Sequence, residues 1–216
     1  MTIHHIINDY NLALGGAQRL AIDLHKGGID TGLSSKLFGL SKDPNYNMQG
    51  AHSLKYRSPY KLIMFVKLWR YFKKEVKTTD VVHVHLFPAI FYVSVLNILK
   101  LIPKCKLILT EHSTFNKRRG KWWGKVVDKI TYSSYSKIIG ISKGTAKSII
   151  RSYPFLSNKV HIINNGAHLF FKKPITRASA RKLIVVSIGR LHPSKNYETA
   201  IKSIVPIKHL NFEYFL

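Results

Sequence analysis

The 216-residue chain is 45% hydrophobic and 21% charged, an ordinary globular composition that excludes disordered and collagen-like classes. Its 35 Lys and Arg against 10 Asp and Glu leave a net charge of +25, so its partners are to be sought among polyanions: nucleic acid, anionic lipid or phosphorylated ligands. The single cysteine, Cys105, excludes an internal disulfide and a multi-cysteine zinc site. No apolar stretch reaches about 18 residues and the N-terminus has no basic-then-apolar signal pattern, which reads as a soluble or peripheral protein of a reducing compartment.

In chain order, Ile3–Ile7 reads as a strand, followed by a loop and a helix over Ala17–Lys26. Ser35–Leu40 reads as the second strand, and Val81–His85, Lys106–Thr110, Lys137–Ile141 and Val160–Ile163 as four more. The intervening segments are long enough for helices, and a parallel strand pair needs a crossover of that kind. The runs are apolar on both faces, as a sheet covered by helices requires. Residues 1–170 therefore read as a doubly wound α/β domain.

Beyond it, Phe170–Ala180 carries Lys172, Lys173, Pro174 and Arg177 without apolar periodicity and reads as a linker. A strand over Leu183–Ile188, a helix over Ser194–Ile204 and a strand over Asn211–Leu216 make one β-α-β unit. Residues 171–216 are thus expected to be a linker and the opening of an incomplete second domain, since domains near 40 residues rarely stand alone.

Several residues carry chemistry. Gly15 and Gly16 lie between the first strand and its helix, where a glycine turn lets backbone approach a phosphate at a helix N-terminus; a plain tight turn remains the alternative. Glu111 and His112 follow a strand, at the sheet end where open α/β folds bind ligands. The imidazole could hold a sugar hydroxyl or move a proton, or merely satisfy the loop. His83 and His85 share one strand face, but without a third ligand in view no metal is expected. Gly189, Arg190 and Lys195 place two cations near a helix start, suiting a diphosphate or a solvated surface. No Asp-x-Asp pair is present to hold a divalent cation on a sugar nucleotide.

Lys61–Lys77 reads as an amphipathic helix, with Leu62, Phe65, Leu68, Trp69, Phe72 and Val76 on one arc. Lys67, Arg70, Lys73 and Lys74 lie opposite. Either the apolar arc docks on the sheet, or the helix lies on an anionic membrane. A second basic-aromatic cluster holds Arg118, Arg119, Trp122 and Trp123, also membrane-facing candidates.

Six stretches, in order, resemble the "group 1" retaining glycosyltransferases of the GT-B fold. They are Gly15–Leu24, Val81–His85, Thr110–His112, Ile139–Lys143, Ile163–Gly166 and Val186–Asn196. The resemblance implies an α/β protein of GT-B type, a Rossmann-like doubly wound N-terminal domain plus the first β-α-β unit of a second. It implies hexose transfer from a nucleotide-sugar donor, UDP- or GDP-linked, to a lipid-linked or saccharide acceptor in bacterial surface polysaccharide synthesis, lipopolysaccharide among the candidates. Transfer would proceed with retention and without metal or cofactor, in the cytoplasm, peripherally on the inner membrane face. By motif, His112 would be the catalytic histidine at the donor sugar; Gly15, Gly16, Arg190 and Lys195 would bind the donor diphosphate; Asn165 and Gly166 would form the junction turn.

The sequence departs from that family pattern in places. No Glu-x₇-Glu or Gly-Asp-Gly motif follows, Gly166-Ala167-His168 replaces Gly-Val-Asp, and Gln18 stands where glutamate is frequent. The chain is therefore expected to be truncated and weak or inactive alone. The competing readings are a basic non-catalytic membrane-surface module and a nucleic-acid-binding α/β module, the latter lacking any nucleic-acid motif.

Overall fold

A computed structural model describes residues 1–11, 15–41, 48–56, 58–166, 183–189, 191, 193–207 and 209–215. They divide into two compact units, Met1–Gly166 and Ala167–Leu216.

The first unit holds strands β1 (Thr2–Ile7), β2 (Ser34–Ser41), β3 (Ala51–Tyr56), β4 (Val81–His85), β5 (Lys106–Glu111), β6 (Lys137–Gly140) and β7 (Val160–Ile162). Its helices are α1 (Gly16–Asp30), α2 (Ile63–Glu75), α3 (Ala89–Ile98), α4 (Trp122–Ser133) and α5 (Lys143–Ser152). The strands form one sheet in the order β3-β2-β1-β4-β5-β6-β7, every pair parallel. Strand alternation sends neighbouring side chains to opposite faces. Ile7 and Leu37 meet Ala21 and Ile22 of α1 on one face. Ile6, Val82, Val84, Leu109 and Ile138 meet Leu68, Phe72, Val93, Tyr132 and Ile149 on the other. Crossovers therefore change face between β1 and β4, and ligands in such sheets bind beyond the strand ends at that switch.

Of the expected apolar arc of α2, Leu68, Phe72 and Val76 are buried, each worth roughly 1.5–3 kcal/mol of transfer free energy. Phe65 and Trp69 are half-buried against the core, and Leu62, before the helix, is exposed. Met64, off the expected arc, is fully buried with them. Docking on the sheet, not immersion in lipid, accounts for that arc. The strand β3 has no counterpart among the strands expected from the sequence. It is a sheet edge with too few apolar residues to stand out: Leu54 and Tyr56 pack on the core of one face and Ala51 on that of the other. Gly140, in the Ile139–Lys143 stretch, has a packing role. A Cβ there would sit 2.9 Å from the backbone nitrogen of Ala146, blocking the approach of α5, whose N-cap is Ser142.

The second unit contains β8 (Leu183–Val186), α6 (Tyr197–Ile204) and β9 (Phe212–Phe215), with β8 and β9 parallel. The expected helix from Ser194 starts later. Asn196 is left-handed at φ 51°, so Pro193–Lys195 forms a separate 3₁₀ turn before α6 begins. Among the described residues, no helix is long and apolar enough to cross a membrane.

Candidate active site

Residues just past β1 and β4 form a hydrogen-bonded base at the carboxyl ends of the strands. Asn8 donates through Nδ2 to the Phe87 carbonyl at 2.7 Å and accepts from the Ala89 N–H at 3.2 Å. Its own carbonyl accepts from the Ser41 N–H and hydroxyl. One side chain and one carbonyl thus tie the ends of β1, β2 and β4 together. Next to it, Asp9 accepts from the Asn11 N–H and from the Gln18 amide. Burial holds its carboxyl above the usual carboxylate range, more than those hydrogen bonds lower it. Asp9 was not among the residues singled out from the sequence; its position directly after β1 was the available signal.

Gly15 is the N-cap of α1 and Gly16 its first residue. The first turn has neither a side-chain cap nor an acidic residue, so backbone N–H groups and the positive end of a 15-residue helix face outward. Among the described residues, a Cβ on Gly16 would meet nothing within 4 Å. No internal packing demands glycine there, whereas close approach by a ligand would.

His112 follows β5 and is held from two sides. Glu111 Oε1 accepts from the backbone N–H groups of His112 and Ser113 at 3.1 and 3.2 Å. Glu111 Oε2 accepts from the Tyr132 hydroxyl at 2.5 Å and lies 3.5 Å from Arg119 Nη2. Glu111 is therefore a brace for the loop that carries His112. The His112 Nε2 is 3.2 Å from His85 Nδ1, one ring donating to the other, which leaves His112 Nδ1 for a ligand. Burial pushes the His112 pKa down to about 4, so the ring is neutral at pH 7.

Behind His112 lies a histidine cluster that the sequence reading underestimated. The third imidazole missing beside His83 and His85 is His5, paired in register with His83 on the neighbouring strand. The three buried rings each offer a nitrogen, all within 4.8 Å of one another, and could hold a metal ion. His83 Nε2 bonds Thr110 Oγ1 at 2.6 Å, while His5 Nδ1 and His85 Nε2 have no partner. Burial pushes His5 down to about 3, His83 to about 4 and His85 well below its ordinary value. No carboxylate belongs to the group. Period-two alternation on β4 was legible in the sequence; the β1–β4 pairing that brings in His5 was not.

The other expected site residues belong to different units or lie outside the described residues. Asn165 and Gly166 are exposed at the end of the first unit, Asn165 donating to the Ile141 carbonyl at 3.4 Å. Lys195 is exposed in the second unit, its stem beside Gly189. Arg190 lies outside the described residues, as do Ala167 and His168.

The membrane-facing candidates separate. On α2, Arg70, Lys73 and Lys74 are exposed and Lys67 half-buried, with Lys67, Arg70 and Lys74 lining a cleft of about 330 Å³ against His52 and Leu54. Trp122 and Trp123 are exposed. Arg118 and Arg119 are not free surface cations, which corrects their reading as membrane-facing. Arg118 donates through Nε and Nη2 to Asp128 Oδ1 at 3.2 and 3.0 Å. The Arg119 side chain is 10% exposed, bonding Ser148 and the Tyr132 hydroxyl beside Glu111. A buried carboxylate, Asp128, drew both guanidinium groups inward, and its place in the core was invisible in the sequence.

A parallel sheet wound on both faces, with a glycine turn and a braced histidine at its switch point, defines a Rossmann-like domain of GT-B type. The sequence matches the model of Glycosyltransferase Family 4 over residues 14–169, and the chain belongs to that family. Among solved structures it is similar to the lipopolysaccharide outer core galactosyltransferase WaaB, apo form: TM-score 0.65 at 11% identity, covering 99% of this chain and 60% of that one. It is also similar to Anabaena HepE in complex with UDP and glucose: TM-score 0.72 at 14% identity, covering 100% of this chain and 62% of HepE. The chain spans about three-fifths of the length of these two proteins. No curated protein matches the sequence.

Proposed function

We propose that this protein transfers a hexose from a UDP- or GDP-sugar to a lipid-linked or saccharide acceptor in surface polysaccharide synthesis, with retention of anomeric configuration. The observation that carries the reading is the pairing of an open, uncapped α1 N-terminus at Gly15–Gly16 with a neutral, braced His112 at the same end of the sheet. Family membership gives the reaction class, and the UDP and glucose bound by HepE support a nucleotide-sugar donor.

In this reading the N–H groups of the first α1 turn meet the diphosphate and absorb the charge that grows on it as the glycosidic bond breaks. By motif, Lys195 and Arg190 are the residues assigned to the cationic part of diphosphate binding. His112 Nδ1 holds a hydroxyl of the donor sugar, while His85 and Glu111 fix the ring. The groups offered to phosphate are N–H donors and ammonium or guanidinium ions, so transfer proceeds without a divalent cation. The buried imidazole trio has no carboxylate and stands behind His112 as its support.

The test is a transfer assay with a panel of UDP- and GDP-hexoses and a lipid-linked oligosaccharide acceptor. Product mass is read by mass spectrometry, anomeric configuration by NMR, with and without EDTA. Gain of one hexose with retained configuration, insensitive to EDTA and lost in His112→Ala, is the expected result. Absence of transfer together with unshifted Gly15 and Gly16 amide resonances in the presence of every donor overturns the reading.

A further inference from the structure

Three imidazoles meet at the two central strands of the sheet. His5 stands on β1 and His83 and His85 on β4, and the β1–β4 register sets His5 beside His83. Ring centroids lie 5.3 Å apart for His5 and His83, 5.8 Å for His5 and His85, and 4.2 Å for His83 and His85. His85 is wholly enclosed, His5 is 3% exposed and His83 9%. Ring nitrogens placed so deep are strong polar groups that folded proteins normally satisfy.

Their hydrogen bonds divide an outer nitrogen from an inner one. His83 Nε2 meets Thr110 Oγ1 at 2.6 Å, which leaves its Nδ1, and His85 Nδ1 meets His112 Nε2 at 3.2 Å, which leaves its Nε2. Among the described residues, that His85 Nε2 and His5 Nδ1 are buried without a partner. One nitrogen from each ring lies within 4.8 Å of the other two. Imidazoles that ligate a metal show the same division: one nitrogen takes the ion, and a neighbour holds the other and fixes the ring plane. With the outer nitrogens donating, the inner ones present lone pairs. A cation accepts all three, whereas a water has two hydrogens to give.

We propose that His5, His83 and His85 bind one zinc ion, with a water or small anion in the fourth position. The donor set selects the metal. Neutral imidazoles with no carboxylate in the group suit zinc and its borderline neighbours, not magnesium or calcium, which take oxygen ligands. Three protein ligands leave zinc one open position of its tetrahedron. Nitrogens on one zinc ion stand about 3.4 Å apart at bonds near ~2.1 Å, so the rings need only turn inward from separations of up to 4.8 Å. The ion would clasp β1 to β4 and fix the plane of His85, and through it His112. His85 uses Nε2 for the ion and Nδ1 for His112, so the sugar-transfer reading does not require the metal.

The experiment takes the 216-residue protein, dialysed against a chelator and then against chelator-free buffer, and titrates it with Zn²⁺ or with Co²⁺ alone. One tight equivalent of Zn²⁺ per chain is expected. Co²⁺ should give the intense visible absorption of a four-coordinate ion, and Zn²⁺ should abolish it by displacement; this readout needs no variant. His5→Gln and His83→Gln should each weaken zinc binding by more than about a hundred-fold, and Thr110→Val by about ten- to a hundred-fold. His161→Gln, at an exposed position, should leave it unchanged. Far-UV circular dichroism confirms the fold of each variant. Failure to take up one equivalent overturns the proposal and leaves the rings packed around water. So does the weak absorption of six-coordinate cobalt, or zinc binding that survives His83→Gln and is lost in His161→Gln. No sugar nucleotide enters the titration, so its failure leaves the transfer reading standing, and absence of transfer leaves the zinc site standing.

Discussion

The Gln18 amide of α1 donates to the Asp9 carboxylate just past β1, Nε2 to Oδ1 at 3.4 Å. Gln18 is buried and the Asp9 carboxyl is already raised by burial. In Gln18→Glu two carboxylates share this space and one must hold a proton. A carboxyl whose folded pKa is raised stabilises the fold below its unfolded pKa and loses that contribution as pH rises. The variant should therefore lose about 1–2 kcal/mol at pH 8 and much less at pH 4.5. Urea midpoints at the two pH values measure it; an equal loss at both would remove the carboxylate pairing as the cause.

The buried imidazoles give the whole protein an acid-labile fold. Unfolded histidines take up protons near pH 6.5, whereas burial holds His5 down to about 3 and His83 and His112 to about 4. Between those values the unfolded chain binds more protons, so stability falls as pH drops through that window. The slope is about 1.4 kcal/mol per pH unit for each such ring. Chelator-treated protein should show this decline in denaturant titrations from pH 7 to 4.5, and His83→Gln should flatten it by one ring's share. A midpoint independent of pH would contradict the assignment of these rings as neutral.

Gly16 and Gly140 should answer substitution in opposite ways. A Cβ on Gly16 meets open space, so Gly16→Ala should leave the unfolding midpoint nearly unchanged while weakening nucleotide-sugar binding at least ten-fold. A Cβ on Gly140 meets the Ala146 backbone, so Gly140→Ala should cost about 1–3 kcal/mol. Calorimetric titration with UDP- and GDP-sugars and thermal unfolding of both variants make the comparison.

Asp128→Ala strips the counter-charge from the largely enclosed Arg118 and one of the two carboxylates beside Arg119, which keeps Glu111. Removing one partner of such a set typically costs about 3–5 kcal/mol. Chemical unfolding should show a loss of that size. A loss under about 1 kcal/mol would mean that solvent, not Asp128, satisfies Arg118 and Arg119.

The seven-strand plan was largely legible because five of its strands, β1, β2, β4, β5 and β6, are short runs largely buried by helices, and burial on both faces writes itself into composition; the exposed edge β7 showed through Val160 and Ile162 alone. The edge strand Ala51–Tyr56 offers its core only Ala51 on one face and Leu54 and Tyr56 on the other, and left no apolar run to detect. Within the site, Gly15, Gly16 and His112 stand out because they punctuate strand ends. Asp9, His5 and Asp128 act through partners 9 or more residues away, and their roles appear only once pairing and packing set those partners beside them. Arg118 and Arg119 read as surface cations for the same reason: composition counts charge but does not locate the carboxylate that draws it inside.

Asn8 has a thermodynamic consequence. Because its amide and carbonyl already join three strand ends, the base on which a ligand settles is ordered before the ligand arrives. In the proposed reading, little conformational entropy would remain to be lost there when a donor associates, and the Gly15–Gly16 amides and the His112 ring would be the groups that discriminate between donors.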